Sequence, residues 1–126
     1  MKLPPRRAGE RGSATAELAV LFPVLLLLLG FLLFSAQTAV AQMRLEDAAR
    51  AAAREAARGA AAEAVDSVAR RLGGADANVV VRREGGFLEV EVGSRLAGPF
   101  GDLLGNQLKA KATTRAEDSE APGAMP

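Results

Sequence analysis

Between Leu18 and Met43 the chain carries no charged residue over 26 consecutive positions. No other feature limits its folding choices so strongly. About 20 apolar residues cross a bilayer as a helix, because in hydrocarbon every backbone group must be satisfied within the segment. The most apolar part, Leu18 to Phe34, contains Leu25-Leu26-Leu27-Leu28-Leu29. Ser35, Gln37, Thr38 and Gln42 then make the far end more polar. Pro23 and Gly30 interrupt the run, and both are tolerated in membrane helices. Pro23 reads either as a simple kink in a single anchor or as a packing device. Lys2, Arg6, Arg7 and Arg11 precede the run against Glu10. The positive-inside rule then puts the N-terminus in the cytoplasm and the C-terminal part outside.

With 126 residues, the chain has about 70 left for a globular part once the span and the polar end are set aside, which is marginal for independent stability. It has no Cys and no His. Disulfides, thiolate metal sites, the commonest general base and the commonest nitrogen ligand are therefore excluded. All five aromatics are Phe and the net charge is +1, which argues against a base-stacking surface or a global attraction to nucleic acid. No phosphate loop, metal cluster or nucleophile–base pair emerges, so no enzyme, cofactor, metal or small-molecule substrate is expected.

The junction before the run allows two processing routes. A cut between Gly12 and Ser13 would retain the apolar run and leave Glu17 as the fifth residue. Alternatively the run is a secretory signal cut after Ala39-Val40-Ala41, though it exceeds the usual length of 7–15 residues. Length favours retention. Glu17 is then either a carboxylate that reaches back to the headgroups or one that pairs, inside the membrane, with the free Ser13 ammonium of a neighbouring subunit.

Gly12-Ser13-Ala14-Thr15-Ala16-Glu17-Leu18-Ala19-Val20-Leu21-Phe22-Pro23 resembles the start of TadE-like minor pilins (pseudopilins) of tight-adherence pili. The later Asp47-Ala48-Ala49-Arg50 is similar to the Asp-Ala-Ala-Arg segment that follows the membrane helix in actinobacterial members. The resemblance extends over roughly Arg11 to Arg58. It implies cleavage by a prepilin peptidase and insertion in the cytoplasmic membrane. Its implied partners are the lipid bilayer, other pilins and the assembly platform. Leu18 stands where Flp-type major pilins usually have Tyr, which points away from the major pilin.

From Gln42 to Leu72 there is no Pro and one Gly, and Ala, Arg, Glu and Leu dominate. The membrane helix is expected to continue into this segment. Leu45, Ala49, Ala52 and Ala56 share one face, continued in sequence by Ala60, Ala64, Val68 and Leu72. Arg50, Arg54 and Arg58 form a basic stripe, which is either a solvated face or a contact for acidic headgroups or another pilin. Gly59 could separate two helices, and Gly73-Gly74 is an end signal.

Strands are expected over Asn78–Arg83, Phe87–Val92 and near Gln107–Arg115, with a turn at Glu84-Gly85-Gly86. Glu89 and Glu91 read as a strand's solvent face. The expected architecture is α+β: a single N-terminal transmembrane helix continuing into a long amphipathic helix, packed by a small antiparallel sheet of about three strands. Its parts are a leader (1–12), the transmembrane helix (13–43), an extracytoplasmic helix (44–72), the sheet region (73–116) and a disordered tail (117–126). The expected role is a structural minor pilin in the cytoplasmic membrane. A secreted or singly anchored binding domain without a pilus role is the alternative.

Overall fold

The computed structural model describes residues 2, 9–96, 98, 101–102, 105 and 107–116. The expected tail and most of the leader lie outside the described residues. The chain divides into two compact units, Met1–Ala36 and Gln37–Pro126.

Helix α1 spans Gly9–Ala57 and contains Pro23. Its Leu- and Ala-rich sequence favours the helix, while Pro23 removes one backbone donor. Farther along, the Ser35 hydroxyl donates to the Phe31 carbonyl oxygen at 2.8 Å, so this polar group is satisfied within the helix. The segment Leu18–Leu33 keeps its large apolar side chains exposed, from Leu18 at 66% to Leu33 at 57%. Among the described residues nothing buries them, as expected of a helix long and apolar enough to cross a membrane.

The helix expected over 44–72 is divided at Gly59. The Gly59 N–H bonds the Ala56 carbonyl at 3.0 Å and the Ala60 N–H bonds the Glu55 carbonyl at 3.3 Å. Gly59 has φ +78°. These bonds and this dihedral form a Schellman cap, with glycine at the position that needs a left-handed backbone. Helix α2, Ala62–Gly73, follows with Glu63 in its first turn and Arg70 and Arg71 in its last, both favourable to the helix dipole.

The break changes which residues face inward. In α2 the buried side chains are Val65 and Ala69. Ala64 and Val68 are half-buried, and Leu72 is exposed at 41%. A period carried straight through Gly59 selects Ala64, Val68 and Leu72, because it assumes one continuous helical phase.

Strands β1 (Asn78–Glu84), β2 (Phe87–Arg95) and β3 (Gln107–Arg115) form an antiparallel sheet in the order β1-β2-β3. Gly85 and Gly86 connect β1 to β2 with φ +58° and +82°, the two positive values that a type I′ hairpin requires. Glu84 and Phe87 close this turn. Strand β2 runs to Arg95, beyond the expected Val92, because its end pairs with β3 through Ser94↔Leu108 and Arg95↔Gln107. Strand β1 reaches only to Gly93, opposite Asn78.

Leu88, Val90 and Val92 alternate along β2 and are completely buried. They join Leu45, Ala48, Ala49, Ala52 and Ala53 of α1, Val65 and Ala69 of α2, and Ala110 of β3 in one core. Full burial of a Leu or Val side chain stabilises by roughly 1.5–3 kcal/mol. The alanines contribute less area but let the backbones approach. Gly73 marks a close approach of α2 to this core: an added Cβ would meet Leu45, Ala48 and Ala77 at 3.2–3.3 Å.

Candidate processing and assembly site

The Gly12-Ser13 step lies within α1, with Gly12, Ser13 and Glu17 all exposed. A Cβ on Gly12 would have no neighbour within 4 Å, so packing does not demand glycine there. Ser13 and Glu17 are four residues apart, one turn along the same face of a helix. No ion pair engages Glu17 among the described residues.

Beyond the apolar run, Leu45, Ala49, Ala52 and Ala56 are all buried. Ala48 and Ala53 are buried beside them. Together they repeat at i, i+3, i+4, i+7, i+8 and i+11, a broad stripe that fits the sheet and α2 covering one side of the helix. The row Leu45, Ala49, Ala52 and Ala56 is one edge of this wider stripe, and the 3–4 spacing of Ala48 and Ala53 is equally present in the sequence.

Arg50 and Arg54 lie on the exposed side of α1, and Arg58, also exposed, follows its last residue. Arg50 pairs with Glu46 at 3.6 Å and Asp47 at 3.7 Å. Arg58 pairs with Glu55. Arg54 has no ion pair among the described residues. Exposed pairs of this kind contribute only about 0.2–1 kcal/mol, so the stripe owes little to stability.

The outer face of the sheet holds a charge lattice. Glu89 lies 3.3 Å from Arg82 and 3.4 Å from Lys111. Glu91 lies 3.0 Å from Lys109, 3.5 Å from Lys111 and 3.9 Å from Arg82. The Lys109 hydrogen bond is the main cause holding the Glu91 carboxyl below its usual range, with the lysine charges adding and desolvation opposing. Sequence alternation located the two carboxylates on one face, but only the strand register supplies their cations. Among the described residues no group of three or more His, Cys, Asp or Glu could hold a metal ion.

One stretch therefore combines an exposed Gly-Ser step, a carboxylate one turn on, an uncovered apolar helix and an alanine face ending in a basic stripe. Residues 12–54 match the TadE-like protein family. The TadE-like segment begins at Gly12 and ends at Arg54, so it contains the junction, the whole apolar run and two of the three stripe arginines. It stops short of the Gly59 break and the sheet. TadE-like proteins are a pilus-associated structural family. No curated protein and no solved structure matches the chain. The TadE-like segment includes one helix long and apolar enough to cross a membrane, consistent with single-pass anchoring.

Proposed function

We propose that this protein is a structural minor pilin, or pseudopilin, in the assembly of Tad/Flp-type pili. A prepilin peptidase cuts between Gly12 and Ser13. The apolar helix is retained in the cytoplasmic membrane, with the mature N-terminus towards the cytoplasm and the sheet domain outside. During lateral bundling with other pilins, the Glu17 carboxylate pairs with the Ser13 ammonium of a neighbouring subunit. The alanine face of α1 (Leu45, Ala49, Ala52, Ala56) holds the subunit's own sheet. The exposed stripe of Arg50, Arg54 and Arg58 remains for contact with pilins or platform proteins.

The match over 12–54 carries this reading, because it starts at the proposed cut and includes Glu17. The freedom around Gly12 supports it as well. A glycine that its own fold does not require is consistent with recognition by a second protein. Mature N-terminal sequencing tests the proposal. Ser13 as the first residue is expected. Gln42 as the first residue would identify a secreted domain, and an intact leader would identify a plain anchor.

A further inference from the structure

Arg95 stands where β2 outruns β1, so among the described residues one side of the strand end has no partner strand. It is exposed and has no ion pair among the described residues. Three adjoining clefts share it. One, of about 180 Å³, lies against α1 and is lined by Gln37, Ala41, Ser94, Arg95, Leu96 and Leu108. A larger one, of about 610 Å³, adds Asp76, Asn78 and Gln107. The third adds Asp102. The cleft on α1 thus offers a guanidinium and polar Gln37 and Ser94 beside apolar Ala41, Leu96 and Leu108.

The chain itself limits how far this cleft can lie from a bilayer. Leu18 to Gln37 is 20 residues, about 30 Å as a helix, the thickness of the hydrocarbon core. Only Ser35 and Ala36 separate Phe34 from Gln37, so even fully extended the three steps between them reach about 11 Å. The headgroup layer on each side is about 5–8 Å deep. Gln37, which lines the cleft, is therefore tethered within or beside that layer. An arginine with no ion pair among the described residues, lining one cleft with Gln37 and flanked by apolar side chains, has the chemistry of a phosphate site open to hydrocarbon. Its planar fork donates two parallel hydrogen bonds to a phosphate.

We propose that the Arg95 cleft binds the phosphate of an anionic phospholipid headgroup and so seats the sheet domain on the membrane surface. Arg95 donates to the phosphate oxygens, and Gln37 and Ser94 supply further polar contacts. Leu96 and Leu108 line the apolar side. The inference needs α1 to lie in a bilayer but does not need the pilus reading. An intact leader would overturn that reading and leave lipid binding untouched.

The test uses the full chain, purified in detergent, delipidated and titrated with phosphatidylglycerol by native mass spectrometry. Arg95→Gln should weaken lipid retention about tenfold, the loss of a charge-assisted bidentate contact. Arg83→Gln, exposed and outside all three clefts, should bind as the parent does. Unchanged retention in Arg95→Gln would overturn the proposal, as would equal loss in Arg83→Gln, which would mean diffuse attraction. Displacement of the lipid by an equal concentration of inorganic phosphate would assign a free-anion site and overturn the lipid source. The chain has no Cys, so a spin label at Leu96→Cys reports depth in phosphatidylglycerol vesicles. It should be shielded from an aqueous relaxant, unlike a label at Glu84→Cys. Equal exposure of the two labels would also sink the idea.

Discussion

Lys109 Nζ lies 3.0 Å from Glu91 Oε1, on the face of the sheet opposite the buried Val90 and Val92. The two side chains come from neighbouring strands and sit diagonally, since Glu91 pairs with Lys111 and Lys109 with Gly93. Their contact joins the central strand to β3 on its solvent side, as the valines do on the core side.

This contact gives the domain an acid limit. The Glu91 carboxyl is held below its ordinary value of 4.5, chiefly by the Lys109 hydrogen bond. A depressed folded-state value contributes stability that is fully present above the unfolded value. That stability is lost as pH falls through the folded one. Thermal unfolding followed from pH 7 to pH 3 should therefore show a falling midpoint below about pH 4.5. Glu91→Gln should flatten that slope.

The change of phase at Gly59 predicts unequal effects for two leucines. Leu45 is 1% exposed and Leu72 41% exposed. Leu45→Ala should cost about 2–5 kcal/mol, the usual range for a buried Leu. Leu72→Ala should change stability by no more than about 0.5 kcal/mol. Denaturant unfolding measures both, and similar losses would mean that α2 presents its other face to the core.

Gly59 itself holds φ +78° with open space around it. Gly59→Ala should cost about 1–2 kcal/mol from backbone strain alone, because no side chain obstructs a Cβ. Gly30, also open but without positive φ, is the control. Gly30→Ala should leave the unfolding of the sheet domain unchanged.

Glu17→Ala tests the assembly proposal separately from processing. Membrane fractionation should show normal insertion, and the mature chain should still begin at Ser13. Electron microscopy should show few or no pili. Normal piliation would remove the pairing of Glu17 with a neighbour's Ser13.

Much of this protein was legible in one dimension. An uncharged run long enough to span a membrane, the junction before it, the Gly85-Gly86 turn and the alternation in β2 are local patterns. Their physical consequences do not depend on what lies across the fold. The break at Gly59 was one of two readings, since a single glycine in a helix-rich stretch costs only about 1 kcal/mol and is often absorbed. The structure resolves the choice through two cap hydrogen bonds that form only when the chain turns.

Sequence by itself determined a helix long and apolar enough to cross a membrane, the α+β class, the Gly12-Ser13 and Glu17 spacing, and Leu45, Ala49, Ala52 and Ala56 as one face. Each follows from hydrophobicity and spacing along a continuous element. Tertiary structure decided the burial of Val65 and Ala69 in place of Ala64, Val68 and Leu72. It also decided the cations around Glu91 and the cleft at Arg95. These depend on where one element stops and which residue of another lies opposite. Strand register and helix phase are set by packing the whole core at once, so no local pattern in the sequence could supply them.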